Sequence, residues 1–297
     1  MRIVVLGAGA IGTYYAAKLS NRHTVTLIAR RPEHVDAIRT AGVQITGLEE
    51  TVCRLDASTQ LAAIDAETLI ILTTKVYDSA DAVCAIAQLL RPDTLILCLQ
   101  NGLHSERIVK DVVAGRCAVL RGITDFGVIL VGPGTVSLKA RGPTSLEAGP
   151  KSREVADALT ECHLSGRVSE DIRHEVWRKL IVNCVVNPLT AMTGMEVGWV
   201  ADERLDPLKR RIIDECLAVA RHDGVTFEMD FTRMLNDTYR PSRNLSSMYQ
   251  DLKKGKRTEI DYMNGAVVDL GHRHGVACPI NESLVSIVKA LERAPQA

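Results

Sequence analysis

The 297 residues of this chain suffice for two domains of ordinary size, and 46% of them are hydrophobic, as is typical of globular proteins. The 36 basic and 36 acidic residues give a formal net charge of zero, which argues against nucleic acid or an anionic membrane as a partner. Since the sequence has neither a membrane-length apolar run nor a signal-peptide pattern, we predict a cytoplasmic protein without a membrane partner. The eight cysteines lack zinc or redox spacing, so we predict no metal site.

The first part of the chain alternates strand-like and helix-like segments, which is typical of a parallel sheet with crossover helices. The two strand-like runs TLIILT and TLILCL are apolar throughout, as expected of strands buried on both faces. The predicted strands are residues 3–6, 25–29, 68–73 and 94–99. The predicted helices are residues 10–19, 32–41, 79–90 and 105–113.

The pattern changes after residue 117. Residues 118–148 contain short strand-like pieces separated by turn signals, which predict antiparallel strands at one edge of the sheet. The remainder is helical almost to the end. We therefore predict an α/β Rossmann domain, mostly parallel with an antiparallel edge, at residues 1–168, and an all-α domain at residues 169–297.

A G-x-G-x-x-G motif connects the first predicted strand to the first predicted helix. Its six residues are Gly7, Ala8, Gly9, Ala10, Ile11 and Gly12. Such glycines make a tight turn, let the backbone approach a pyrophosphate and let the helix pack on the strand. The helix N-terminus favours the phosphates, so the motif predicts a dinucleotide site.

The residues after the second predicted strand indicate which dinucleotide is bound. An NAD site usually carries an acidic residue there, whereas this chain has Arg30 and Arg31. Guanidinium groups suit a 2′-phosphate, so we predict NADPH. Either arginine could hold the phosphate, and we favour Arg31.

Two further strands end in polar residues, at the sheet edge where such folds bind ligands. Lys75 could neutralise a cofactor phosphate or attract an anionic substrate. Asn101 could hold the cofactor near its nicotinamide, although Asn-Gly is also a common turn.

Three polar residues recur every fourth position in an otherwise apolar segment. Lys179, Asn183 and Asn187 would share one face of a buried helix, where they need partners. A lysine beside a ketone oxygen stabilises the charge that hydride delivery creates and then donates a proton. The alternative is a structural role in which Lys179 pairs with a carboxylate.

A second polar cluster lies near the end of the chain. Asn244 and Ser247 are uncharged donors suited to a carboxylate or hydroxyl. Thr258 and Asp261 resemble a capping box that opens a helix. Glu259, at the start of that helix, could pair with Lys179 or hold a substrate hydroxyl.

Together these segments resemble the ketopantoate reductase (2-dehydropantoate 2-reductase) family along nearly the full chain. The features that carry the resemblance are GAGAIG at 7–12, the arginine after the second strand, Lys75, QNG at 100–102, WRKLIVNCVVNPLTA at 177–191 and NLSSMYQD…TEIDYMNG at 244–265. The resemblance implies a Rossmann domain joined to a helical domain with the site between them, and NADPH-dependent reduction of 2-dehydropantoate to (R)-pantoate. It also suggests a homodimer.

The resemblance implies a role for each matching residue. Lys179 would be the general acid that protonates the new alkoxide, and Glu259 would orient the lysine and the substrate. Asn101 would sit where cofactor and substrate meet. The remaining residues would hold the 2-oxo acid and its hydroxyl; these are Asn183, Asn187, Asn244 and Ser247.

One segment departs from the family pattern. The chain has Glu196 and Val197 where members often carry an asparagine that can reach the substrate. A reductase of another 2-oxo acid, larger or more apolar, is therefore an alternative. A non-catalytic NADPH-binding redox sensor is a second alternative, which would be expected to have lost the acid or its partner.

Overall fold

The computed structural model describes residues 1–293, so residues 294–297 of the predicted second domain lie outside the described part. By its internal contacts the chain divides into two compact units. The first comprises Met1–Gln100 and His104–Ile172, and the second comprises Asn101–Leu103 and the chain from Arg173 onward. The first unit is α/β and the second is helical, which confirms the predicted fold class.

An eight-stranded sheet forms the centre of the first unit. All neighbouring strands pair in parallel except Ala118–Thr124 and Thr144–Leu146, which are antiparallel, so the predicted antiparallel edge is confirmed. In spatial order the strands are β12 (Gly166–Val168), β11 (Thr144–Leu146), β8 (Ala118–Thr124), β7 (Leu95–Cys98), β6 (Leu69–Leu72), β1 (Arg2–Leu6), β2 (Thr24–Ile28) and β5 (Asp56–Ser58).

A second, four-stranded sheet was not predicted from the sequence. Two of its strands come from the region after β2, and two come from the region that we expected at the edge of the large sheet. β3 and β10 pair in parallel, whereas the two outer pairs are antiparallel. In spatial order the strands are β4 (Thr51–Cys53), β3 (Val43–Gly47), β10 (Thr135–Ala140) and β9 (Gly127–Gly132).

The helices of the first unit cover these sheets. α1 shares one apolar core with both, because its Tyr14 and Tyr15 are fully buried in a cluster that also contains Val5 of β1 and Val136 of β10. The predicted helix over 79–90 is shorter than expected, since the turns after Cys84 tighten to i→i+3 hydrogen bonds. The helices are α1 (Ala10–Leu19), α2 (Pro32–Ala41), α3 (Ser79–Cys84), α4 (Ser105–Val113) and α5 (Ser152–Glu161).

The second unit is built around one long helix, α6, which is buried on most of its sides, as its apolar sequence predicts. Within residues 1–293, no helix is both long enough and apolar enough to cross a membrane. The helices are α6 (Ile172–Thr193), α7 (Asp206–His222), α8 (Phe231–Tyr239), α9 (Ser247–Lys253), α10 (Asn264–His274) and α11 (Pro279–Arg293).

The predicted capping box at Thr258 is wrong. The Thr258 hydroxyl donates to Glu292 of α11 at 2.6 Å, and the Asp261 carboxylate pairs with Arg257 and Lys289. Residues 260–262 form only a short 3₁₀ turn, and α10 begins later, at Asn264. The Thr258 hydroxyl oxygen does accept from Ile260 N–H at 3.2 Å, but the Thr258 backbone N–H donates to Glu292 rather than to Asp261, so the reciprocal box does not form.

Candidate functional site

The glycine-rich turn between β1 and α1 has the geometry that its motif predicts. Gly7 has a positive φ of 116°, and its carbonyl accepts a hydrogen bond from the Thr73 hydroxyl at 2.7 Å. A Cβ on Gly12 would lie 1.9 Å from the Gly7 carbonyl oxygen and 2.3 Å from Thr73 Oγ1. Gly12 is therefore required for the close approach of the helix to the strands.

The N-terminus of α1 is available for an anion. Gly9 is its N-cap residue, and an added Cβ there would meet no other atom within 4 Å. Among the described residues, none caps this terminus with a side chain, and the first turn has no acidic group. The first helical turn thus fits a pyrophosphate, which its N–H groups and dipole would stabilise. Ala8 and Ile11, also in the motif, pack against the apolar core.

Arg30 and Arg31 follow β2, next to the glycine turn, where Gly7 N–H donates to the Ile28 carbonyl at 3.2 Å. Arg31 is the N-cap residue of α2 and its side chain is half exposed. Arg30 is more exposed and pairs with Asp78. Both guanidinium groups are therefore at the surface beside the predicted phosphate site.

His34 was not singled out from the sequence, although it supports this region. Its Nδ1 accepts a hydrogen bond from Gly134 N–H at 3.1 Å, so in the neutral ring the proton is on Nε2, which lies 3.2 Å from Thr13 Oγ1. Burial, together with the charge of Arg31, lowers the pKa of His34. A neutral histidine thus ties α2 to α1, and only the tertiary structure reveals the pairing.

Lys75 lies past the carboxyl end of β6, where it is the N-cap residue of a 3₁₀ turn, and it is partly buried. The turn leads into Ser79, whose hydroxyl accepts a hydrogen bond from Gln100 Nε2 at 2.9 Å. Gln100 Oε1 is buried and has no hydrogen-bond partner within residues 1–293. This acceptor was also missed in the sequence, although it begins the QNG segment.

Asn101 belongs to the second unit rather than the first. The next residue, Gly102, has a φ of +84°, and a Cβ there would lie 2.3 Å from the Tyr262 carbonyl oxygen. Tyr262 N–H in turn donates to the carbonyl of Glu259 at 3.0 Å. The structure therefore places Asn101 and Glu259 in adjoining segments, and the Glu259 side chain is buried.

The polar face of α6 carries the predicted acid. Lys179 and Asn183 are partly buried, whereas Asn187 is buried and its Nδ2 lies 3.3 Å from Met263 Sδ. The Met263 contact brings Asn187 to the segment that also contains Glu259. The four-residue spacing predicted that these side chains share one helical face, and the segment is helical as predicted.

One turn further along α6, Thr190 connects this helix to α9. Its hydroxyl oxygen lies 2.7 Å from the Ser246 hydroxyl oxygen, and its proton is donated to the Val186 carbonyl at 2.6 Å. Ser246 is the N-cap residue of α9 and accepts from Tyr249 N–H at 3.2 Å. Asn244, partly buried, and Ser247, exposed, flank this buried serine. The contact between Thr190 and Ser246 thus brings Asn244 and Ser247 to the end of α6.

The segment that departs from the family pattern lies against residues 239–244. Val197 N–H donates to the Asn244 carbonyl at 2.8 Å, and Gly198 N–H donates to Ser242 at 3.0 Å. The Glu196 carboxylate pairs with Arg243 at 3.2 Å. The segment therefore positions the backbone of Asn244.

The predicted site residues divide between the two units. The glycine turn, both arginines and Lys75 belong to the first unit, and Lys179, Glu259 and all the predicted substrate residues belong to the second. Among residues 1–293, no group of three or more metal-binding side chains is assembled. An ammonium group, a carboxylate and several amides in one unit can together bind an oxo acid and donate a proton.

Comparisons with known proteins agree with this division. A family model described as ketopantoate reductase PanE/ApbA matches residues 3–151, and its C-terminal counterpart matches residues 171–292. The 2-dehydropantoate 2-reductase of Pyrococcus horikoshii is 35% identical, and the match covers 98% of each chain.

Solved structures show the same likeness. A D-mandelate dehydrogenase, determined with NADH and anilino(oxo)acetate, superposes with a TM-score of 0.91 at 30% identity, covering 98% of both chains. A PanE/ApbA family ketopantoate reductase from Ralstonia eutropha superposes with a TM-score of 0.89, also at 30% identity over 98% of both chains. The chain therefore belongs to the ketopantoate reductase family.

Proposed function

We propose that this protein reduces 2-dehydropantoate to (R)-pantoate with NADPH, a step toward pantothenate and coenzyme A. The observation that carries the proposal is the polar face of α6, with Lys179 and Asn187 on one side of a largely apolar helix. The names of its relatives support the same activity.

The cofactor half of the proposal rests on the glycine turn and the arginines. When bound, NADPH supplies the hydride that reaches the 2-keto carbon. The N-terminus of α1 would hold its pyrophosphate, and Arg31 would hold its 2′-phosphate. Lys75 would add positive charge at the end of β6, and Arg30 would flank the adenine.

Lys179 would act on the oxygen of the reacting carbonyl. Its ammonium group stabilises the negative charge that develops there and then transfers a proton to the alkoxide. Glu259, buried in the adjoining segment, would orient the lysine and the substrate. Asn101 lies next to that segment and would contact both ligands.

The remaining polar residues would bind the substrate itself. Asn183 and Asn187 offer amides one and two turns after the lysine, and Asn244 and Ser247 flank the serine that contacts α6. Amide and hydroxyl groups can donate hydrogen bonds to the substrate carboxylate and hydroxyl. Because amides and hydroxyls are neutral, they do not take the proton that Lys179 donates.

A second candidate is reduction of a larger 2-oxo acid. It is favoured by the likeness to D-mandelate dehydrogenase and by Glu196 and Val197, which replace the asparagine that family members often carry. Since Val197 binds the Asn244 backbone, this segment would set the shape of the substrate site.

The test is loss of NADPH absorbance when ketopantoate is added to purified protein, beside NADH and a panel of aliphatic and aryl 2-oxo acids. Turnover with ketopantoate and NADPH supports the first candidate. Turnover only with an aryl or bulky 2-oxo acid supports the second. NADPH binding without turnover across the panel would contradict both and favour a sensor.

The proposal includes a cytoplasmic enzyme that forms a homodimer, by analogy with the family. A dimer would have twice the 32.4 kDa mass of the chain. Sedimentation equilibrium distinguishes the two masses, and a mass of one chain at micromolar concentration would contradict the dimer.

A further inference from the structure

We infer that Asn264 is a positioning residue for the catalytic face of α6, because its side chain replaces a backbone hydrogen bond that Pro188 removes. The inference rests on the proposed function, since it concerns the helix that carries Lys179, Asn183 and Asn187. It adds a residue that is on a different helix and that has no predicted contact with substrate or cofactor.

Pro188 lies inside α6, sixteen residues after its start at Ile172. A proline has no N–H, so the carbonyl four residues earlier, that of Cys184, lacks the donor that an α-helix normally supplies. Cys184 and Pro188 are buried, and a buried carbonyl left without a hydrogen-bond donor is destabilising. This carbonyl lies between Asn183 and Asn187 in sequence, within the predicted substrate-binding stretch.

Asn264 provides the missing donor. Its Nδ2 lies 2.9 Å from the Cys184 carbonyl oxygen, and its side chain is fully buried at the first residue of α10. The residue before it, Met263, contacts the Asn187 amide. The start of α10 therefore contacts α6 at two points, Cys184 and Asn187, in the turn just before the proline.

A buried network fixes the orientation of the Asn264 amide. The Glu215 carboxylate accepts from both the backbone N–H and the Nδ2 of Asn281, at 2.9 and 2.7 Å. Asn281 Oδ1 must then face away from Glu215, and it accepts from Asn264 Nδ2 at 2.9 Å. Because Nδ2 of Asn264 lies between two acceptor oxygens, only its NH₂ group can occupy that place.

The network thus connects α7, α11 and α10 to the one carbonyl of α6 that the proline leaves free. If the bond were lost, the helix could repack around Pro188 and shift Asn187 relative to Lys179. Misplacement of this kind lowers the rate of the chemical step more than it weakens cofactor binding, because catalytic contacts depend on position within about 1 Å.

The test is a cycle of Asn264→Ala, Pro188→Ala and the double variant, with kcat, KM and thermal unfolding measured for each. Asn264→Ala should lower kcat on the order of tenfold or more, with KM for NADPH within about twofold. Pro188→Ala restores a backbone N–H to the Cys184 carbonyl, so the double variant should recover to within about threefold of Pro188→Ala alone.

Asn236→Ala is a matched control in the same unit. Asn236 is also a buried asparagine, but it binds Lys209 and Asp206 rather than α6. It should lower the unfolding temperature without changing kcat, and Pro188→Ala should not rescue it. Loss of kcat in this control equal to that of Asn264→Ala would overturn the inference.

Further results of the mutant cycle would also support or overturn the positioning role of Asn264. Additive effects in the cycle, or a normal kcat in Asn264→Ala, would overturn the positioning role while leaving the reductase activity intact. If Asn264→Ala does not fold, folding of the double variant supports the inference and failure of both overturns it. If the unaltered protein reduces no 2-oxo acid, the proposed function fails, and the thermal cycle still tests the hydrogen bond.

Discussion

Arg30 donates a hydrogen bond to the Asp78 carboxylate at 2.7 Å, whereas the nearest carboxylate oxygen to Arg31, on Glu33, is 3.9 Å from its Nε. The two adjacent guanidinium groups therefore differ in how closely a carboxylate binds them. An arginine held by an acidic partner would have to give up that bond to bind a phosphate. This difference favours Arg31 for the 2′-phosphate.

Arg31→Ala should raise the Kd for NADPH by about 10- to 100-fold and leave that for NADH nearly unchanged, because charge-assisted bonds contribute about 1.5–3 kcal/mol. Arg30→Ala is the matched control and should have the smaller effect. Fluorescence titration with both cofactors measures the ratio. Equal weakening of both cofactors by Arg31→Ala would contradict the phosphate role.

The two glycines of the turn separate folding from cofactor binding. Gly12→Ala should destabilise the protein severely, since its Cβ would lie 1.9 Å from the Gly7 carbonyl oxygen. Gly9→Ala should leave the unfolding temperature unchanged, because its Cβ meets no atom within 4 Å, yet should weaken NADPH binding at least about tenfold by blocking the pyrophosphate. Thermal unfolding and titration of both variants make the comparison, and normal NADPH affinity in Gly9→Ala would be inconsistent with a pyrophosphate there.

Lys179→Ala should reduce kcat by on the order of 10²-fold or more while NADPH binding stays nearly intact, because a general acid acts in the transition state. Lys179→Arg is a useful companion, since it keeps the positive charge but is a much weaker acid. It should retain substrate affinity better than it retains rate. Full activity in Lys179→Ala would show that another group donates the proton.

Glu49 should contribute stability that depends on pH. Lys18, almost fully buried, lies 2.5 Å from its carboxylate, and Arg141 lies nearby at 3.3 Å. Burial raises the pKa of Glu49, but the bonds to these two cations outweigh it and lower the pKa below its usual value. A lowered folded-state pKa adds stability above the unfolded value of ~4.3, and this stability is lost as the pH falls through the folded value.

Glu49→Gln should therefore cost about 3 kcal/mol at pH 7, because it leaves Lys18 buried without its carboxylate. Urea unfolding at pH 7 and again near pH 3 measures the difference in the free energy of unfolding. The difference in the free energy of unfolding between Glu49→Gln and the parent protein should be smaller at the lower pH. A gap independent of pH would mean that the ion pair contributes nothing through charge.

The large sheet was largely predictable because each of its central strands is an uninterrupted apolar run between turn signals. The small sheet was not, since β4 has only three residues and β3 mixes polar with apolar positions. Such segments become strands only through their neighbours. Residues 127–140 looked like edge strands of the large sheet, but their apolar side chains pack on α1 in the small sheet instead.

At the candidate site, regular spacing in the sequence predicted which residues share a helical face, whereas contacts between distant segments could not be predicted. Lys179, Asn183 and Asn187 recur with the period of a helix, so their shared face was evident. His34, Gln100 and Ser246 were passed over, because a single histidine, glutamine or serine carries no local pattern. Each has a hydrogen-bond partner far away in the chain. His34 bonds to residues 21 and 100 positions away, Gln100 to one 21 positions away, and Ser246 to one 56 positions away.

The fold class, the glycine-rich turn and the polar face of α6 were evident before any contact was known, because each depends on periodicity or on a motif of a few consecutive residues. Three other features emerged from the folded chain alone: the pairing of Arg30 with Asp78, the bond of Thr258 to Glu292, and the donor that Asn264 provides to the Cys184 carbonyl. These depend on hydrogen bonds between residues far apart in the chain. Burial makes an unsatisfied polar group costly, but the sequence does not show which distant residue will be its hydrogen-bond partner.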